Sequence, residues 1–296
     1  GIGCANQSGS QTANVAMGGS AANGTSQVTT TEEYNSSTTT FTAGAWASGG
    51  NMPAVRQSPG GFGSSTAAGA CAGEGPGISG TNTTFNYDGS TWSTSGTYPA
   101  TISELGTLGT QTAGMGIGGY TASSPRTRLN ASTEYDGSSW TAGGTYPIGS
   151  SNTQGTGTQT AGLGIGGDTY PPAPSRNSNV TGEYDGTSWT AGGNLNQARN
   201  RIRAAGTQTA GLAIGGSAYP LSVGPIGATS EEYDGSSWTA GNTLNTPRYM
   251  TAAGGLQTSA LAFGGNGSPA FLNVTEKYDG TSYTTSPATL ASGRNA

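Results

Sequence analysis

Short runs in which apolar side chains alternate with very small ones recur along this chain. Ala210, Leu212 and Ile214 alternate with Gly211, Ala213 and Gly215. One face of such a run is apolar and the other almost bare, the period-two signature of a β-strand. A bare face lets a neighbouring backbone come close. Gly215 and Gly216 end the run and permit a turn with positive φ. A further strand is predicted over residues 231–233. Asp234-Gly235 marks a tight hairpin, and Trp238 lies on the returning strand. Residues around 248–253 predict one more short strand before the pattern restarts. No apolar stripe of helical period occurs, and glycine and β-branched threonine run throughout, so helix is not expected.

The pattern is a repeat. Gln-Thr-Ala-Gly-Leu-Ala-Ile-Gly-Gly ends at Gly216, and related runs end at Gly19, Gly73, Gly119, Gly167 and Gly265. The steps are 54, 46, 48, 49 and 49 residues. A second signature, Glu-Tyr-Asp-Gly-Ser-Ser-Trp, places its tyrosine at Tyr34, Tyr87, Tyr135, Tyr184, Tyr233 and Tyr278. All five tryptophans (Trp46, Trp92, Trp140, Trp189 and Trp238) fall at one repeat position, which Tyr283 fills in the sixth unit. Tyr34 and Trp46 are 12 residues apart where the other units have 5, so the first unit carries a seven-residue insertion containing Phe41. Six units of four strands predict an all-β, six-bladed β-propeller with four antiparallel strands per blade. The expected blades are 1–50, 51–98, 99–146, 147–194, 195–243 and 244–296, forming a single domain. The step from Arg294 round to Gln11 is 13 residues, against 9 in 199–208 and 248–257, so the two ends are expected to meet. The lack of an initiator Met suggests processing or an excerpt from a longer protein.

Composition narrows the chemistry. There are 54 glycines in 296 residues, and 8% of residues are charged. Such a composition suggests disorder until the repeats are seen, because low charge argues against it. The chain has no histidine, which removes His-based acid–base catalysis and His metal ligation. Two cysteines exclude a disulfide-rich scaffold or a four-cysteine zinc site. Cys4 is expected in a first strand, and Cys71 takes the apolar position of Ile214; both read as small buried hydrophobes, with a disulfide left open. A net charge of −5 argues against nucleic acid as a partner. No apolar run reaches the length of a membrane span, so membrane insertion is not expected. No cofactor is implied.

The double glycine after the second strand, the tyrosine in the third and the tryptophan in the fourth resemble the kelch repeat across essentially the whole chain, the second unit being weakest, with Ala72-Gly73 at the double glycine. The style of repeat also looks like that of marine bacteriophage virion and tail-associated proteins. In a propeller the first-to-second and third-to-fourth turns share one face, where Gly-Thr-Gln-Thr and Tyr-Asp-Gly recur almost unchanged. The other loops vary: 120–130, 168–179, 217–227 and 266–272. All nine arginines lie in or beside loops of this face, Arg126, Arg128 and Arg176 in the second-to-third loops and Arg56, Arg199, Arg201, Arg203, Arg248 and Arg294 in the fourth-to-first loops. Arg56, Arg199, Arg248 and Arg294 share one repeat position, and the kelch resemblance places it near the mouth of the central channel, where ligands often dock. Arginine serves equally as a structural fork and a ligand fork. The candidate ligand-binding residues are therefore Arg56, Arg199, Arg201, Arg203, Arg248 and Arg294, with Tyr120, Tyr170 and Tyr219 from the variable loops as stacking residues.

The Asp-Gly-Ser-Ser-Trp run resembles the Asp-box of sialidases but lacks the residue between Asp and Gly, and in either family the element is structural. Outside the repeat acids and their neighbours only Glu74, Glu104 and Asp168 remain, and their spacing suggests no catalytic pair. The chain is therefore not expected to be an enzyme. The expected role is a binding or assembly module of a virion, extracellular, contacting host-surface glycan or protein or neighbouring virion proteins through its variable loops. Alternatives are a purely structural virion subunit and a sialidase-like glycan-active enzyme.

Overall fold

The computed structural model describes residues 6–9, 13–17, 31–35, 45–76, 80–121, 127–169, 177–218, 225–267 and 270–294. Within them the chain forms six antiparallel sheets, each with its strands paired in chain order. Five have four strands. The second adds the short Tyr120–Thr121 strand, which pairs with the end of Trp92–Ser103. The expected all-β propeller of six blades is what the chain forms. Each sheet is a separate hydrogen-bonded unit, and hydrogen bonding does not close the six into a ring. The strands Asn6–Gly9, Gly60–Ser64, Gly106–Thr110, Gln154–Thr158, Arg203–Gly206 and Ala252–Leu256 are first in their blades. Each packs against the first strand of the next blade, and Ala252–Leu256 against Asn6–Gly9. The strand expected around 248–253 lies later, at Ala252–Leu256, because residues ahead of it form a connector. The fourth strand of the second blade runs past residue 98 to Ser103.

Apolar burial sits between blades. Ala205, Leu212 and Ile214 of the fifth blade cluster with Leu244, Ala253, Ala260, Ala262, Tyr278 and Tyr283 of the sixth. The repeat tyrosine packs on the repeat tryptophan, with ring centroids 4.8–4.9 Å apart in four blades. Tyr278 and Tyr283 make the same contact at 4.5 Å in the sixth. Such ring pairs contribute about 0.5–1.5 kcal/mol beyond their buried area. Cys71 is a buried free thiol in this core, and burial pushes its pKa up. Cys4 lies outside the described residues.

The remaining repeat residues are polar ties to the preceding blade. The tryptophan indole N–H donates to a hydroxyl there: Trp92 to Thr31, Trp140 to Thr84, Trp189 to Ser132 and Trp238 to Thr181. Trp46 of the first blade donates to Thr275 of the sixth. The repeat glutamine side chain reaches back to two carbonyls, as Gln208 does to Gly162 and Tyr184. The tyrosine hydroxyl donates to the glutamate that precedes the previous blade's tyrosine: Tyr87 to Glu33, Tyr184 to Glu134, Tyr233 to Glu183 and Tyr278 to Glu232. Burial and the neighbouring carboxylate raise the Tyr184 and Tyr233 phenols to about 12, so they stay neutral donors.

A buried ion pair seats three of the four connectors that keep the repeat arginine. Arg199 meets Glu231 at 2.9 Å and also donates to the carbonyls of Gly215 and Thr229. Arg248 pairs with Glu276 and donates to Gly264 and Val274. Arg294, near the end of the chain, pairs with Glu32 of the first blade. The C-terminal segment thus binds the first blade as the internal connectors bind the fifth and sixth. In the second blade Phe85 replaces the glutamate, and Arg56 lies over its ring at 5.1 Å. In the third and fourth blades Ile102 and Ser150 replace the arginine. Tyr98 and Tyr146 fill the space instead, against Thr133 and Gly182.

The hairpin aspartates build the opposite face. In all five described hairpins one Oδ accepts two backbone N–H groups, as Asp234 does from Ser236 and Ser237. These bonds hold Asp234 and Asp279 down to about 2. The glycine that follows takes positive φ, +92° at Gly235.

Two predictions follow from these ties. Glu276→Ala leaves Arg248 buried without its carboxylate and should cost about 3–5 kcal/mol in denaturant unfolding. The triple change Leu244→Tyr, Arg248→Ser, Glu276→Gly copies the fourth blade and should recover most of that loss. The lowered hairpin aspartates contribute stability that is present above the unfolded value of about 3.9 and lost as pH falls through their folded values. Asp234→Asn should therefore make the acid limb of the melting-temperature profile shallower.

Candidate functional site

Each connector turns into the first strand of the next blade through one residue in the left-handed region. The five described residues at this position are Ser58, Glu104, Asn152, Arg201 and Met250, with φ of 50° to 54°. None is glycine, although glycine would adopt this φ without penalty. A left-handed L-residue costs roughly 1–2 kcal/mol. The conformation is imposed by ring packing: the Asn152 N–H donates to the Glu104 carbonyl at 2.7 Å, and that of Met250 to Arg201 at 3.1 Å. These residues rim the variable-loop end of the channel, because each lies two residues before an innermost strand. Just outside them are the residues that follow each double glycine: Glu74, Tyr120, Asp168, Ser217 and Asn266. Four of these five make an antiparallel bridge to the connector, as Asp168 does to Ser151, and Tyr120 pairs with Ser103. Below the rim the channel is a cavity of about 150 Å³ walled by glycine-rich first strands.

The three acids outside the repeat pattern all lie at this end of the channel, Glu104 on the rim and Glu74 and Asp168 just outside it. Asn152 Nδ2 donates to Glu104 Oε2 at 2.6 Å, and Ser151 Oγ at 3.2 Å. Burial raises the Glu104 carboxyl pKa. Arg201 and the Ser151 hydroxyl oppose that rise, and Glu74 and Asp168 add to it. Tyr120 donates to Glu74 Oε1 at 2.6 Å, joined by Ser103 at 3.3 Å. Arg128 meets Asp168 at 3.3 Å and lies 6.0 Å from the Tyr120 ring centre. A cavity of about 20 Å³ between Glu104, Asn152, Gln154 and Arg203 has room for one water molecule. No group of three or more acids or cysteines suited to a metal ion exists among the described residues.

The candidates read from sequence divide on this geometry. Arg199, Arg248 and Arg294 are buried in the ion pairs that seat connectors, with their charge met by glutamate. Arg56 is buried against Phe85. Arg201 stands on the rim, and Arg203 opens an innermost strand beneath it. Tyr120 is buried under the rim rather than displayed for stacking, because it pairs as a strand and hydrogen-bonds Glu74. Tyr170 and Tyr219 lie outside the described residues. Glu74, Glu104 and Asp168 were not expected to meet, since their separation in sequence spans three blades. In the two repeat columns they occupy, the other blades carry Tyr, Ser and Asn, or Ser, Asn, Arg and Met, so residue type alone does not mark them.

The raised Glu104 carboxyl gives a pH prediction with a definite sign. The folded chain holds a proton that the unfolded chain releases near pH 4.3. This stabilisation is complete below that value and is lost as pH rises through the folded pKa. Glu104→Gln mimics the protonated form. It should be more stable than the parent at pH 7 and equal to it near pH 4, read from melting temperatures across that range.

No protein-family model matches the chain, and no curated protein matches it. Among solved structures it is similar to one titled "Structure of YjhT", with a TM-score of 0.73 at 12% sequence identity. The match covers 96% of this chain and 97% of that one. At this identity the likeness shows the fold. It also corrects the expectation that the chain is not an enzyme. That exclusion rested on absent histidine and on acids too scattered to pair. In this chain those same acids lie toward one end of the channel, with Arg201 and Tyr120 beside them. The chain is a β-propeller of six blades, and its class is not restricted to non-enzymes.

Proposed function

We propose that this propeller, of kelch type, is a binding and assembly module of a virion that holds a hydroxyl-rich ligand of the host-surface glycan class at the variable-face mouth of its channel. The observation that carries the ligand site is the set of non-glycine residues kept in left-handed conformation there. Backbone strain of this kind persists where surrounding structure enforces it and often marks a functional site. The side chains presented offer what sugar hydroxyls need, namely amide, carboxyl and hydroxyl groups around a polar recess. The virion setting rests on the style of the repeat, and the kelch type on the Gly-Gly, Tyr and Trp positions.

A second reading is favoured by Glu104. A carboxyl with a raised pKa beside a polar recess can deliver a proton to a bound sugar oxygen. A glycan-active catalyst would use the same mouth.

A glycan array probed with the isolated chain tests the site. Retention of a defined glycan, weakened at least tenfold in an Asn152→Gly chain that still folds cooperatively, is the expected result. Glycine keeps the left-handed backbone, without its cost to an L-residue, and removes the amide with its bond to Glu104. Turnover of the retained glycan that is lost in Glu104→Gln would select the catalyst. Absence of any retained glycan, with the variable loops buried against another virion chain, would select a structural subunit and overturn the proposal.

A further inference from the structure

The charge pairing of the arginines is uneven. Arg128, Arg199, Arg248 and Arg294 each meet a carboxylate. Arg56 lies over an aromatic ring. Among the described residues this leaves Arg201 and Arg203. The Nε and Nη1 atoms of Arg201 are shut off from solvent and have no hydrogen-bond partner. Arg203, 6% exposed, gives Nη1 to the Ile202 carbonyl, and its Nε has no partner. An unpaired Nε alone does not set them apart, since Arg199 has one too. What does is that neither guanidinium is matched by a carboxylate or a ring.

A buried ionised donor without an acceptor is costly, so such groups are met by a counter-charge, water or ligand. Glu104 is held by Asn152 and Ser151, and the Arg201 charge opposes the rise of its pKa without an ion pair between the two. The small cavity between Glu104 and Arg203 leaves an opening beside the unmatched charge.

We infer that Arg201 and Arg203, on either side of Ile202, form the anion-recognising half of the mouth, so that its ligand carries a carboxylate or similar oxyanion on a hydroxylated ring. This inference rests on the proposed reading of the mouth as a glycan site and adds the ligand's charge. Arginine suits the task because its planar fork matches a carboxylate in two-point geometry.

Calorimetry with glucuronate and glucose, two sugars of like size that differ in charge, tests it. The expected result is at least tenfold tighter binding of glucuronate to the unaltered chain. Arg201→Gly keeps the left-handed backbone and should erase that preference while still binding glucose, with a melting temperature no lower than that of the unaltered chain. Free acetate competing as well as glucuronate would assign the site to the bare carboxylate and overturn the need for the ring. Equal binding of both sugars by the unaltered chain would overturn the charge assignment and leave the glycan site standing. Binding of neither sugar would overturn both. If Arg201→Gly weakens both sugars alike, the arginine shapes the mouth without reading charge, and the inference fails.

Discussion

Polar ties between neighbouring blades govern this structure. Each blade is thin, with glycine and alanine where larger side chains would fill a thicker sheet, and no single blade could bury enough apolar surface to stand alone. The apolar wedges between blades bring the sheets together, yet wedges of small residues do not specify which edge faces which. The indole, glutamine and tyrosine–glutamate ties do, because each joins a fixed position in one blade to a fixed position in the preceding one. Buried polar groups of this kind must be satisfied to be tolerated, and ring packing satisfies them.

The ion pairs between connectors and blades show how such a fold tolerates change. Where arginine is kept, the blade keeps glutamate or presents an aromatic face. Where it is lost, tyrosine enters from four residues upstream and the partner shrinks to threonine or glycine. The same volume is filled by an ion pair or by a ring, in keeping with the rule that a buried pair can give way to a well-packed apolar group. Arg294 and Glu32 repeat the arrangement between the chain's end and its first blade, so closure uses the same chemistry as the internal joints.

The fold was legible in the sequence because repetition reports it six times over. Gly-Gly, Asp-Gly and Trp each mark a backbone event, and their even spacing leaves little choice of architecture. The site was less legible for the opposite reason. Glu74 and Asp168 share one column of the repeat and Glu104 lies in another, in three different blades, so only the ring brings them together. The repeat arginines misled in part. Their shared position drew attention to the channel mouth, but that position is the joint itself. Arg201, two residues further on from Arg199, is the residue that reaches the rim. Its column mixes Ser, Glu, Asn, Arg and Met, and no periodic signal singles it out.

We propose that the rim of left-handed residues is where this propeller meets its ligand. Amide hydrogen exchange with and without saturating glucuronate tests that most directly. Slowed exchange confined to residues 103–106, 151–155 and 200–204 is the expected result. Protection on the Asp-Gly hairpin face, with those segments unchanged, would contradict it.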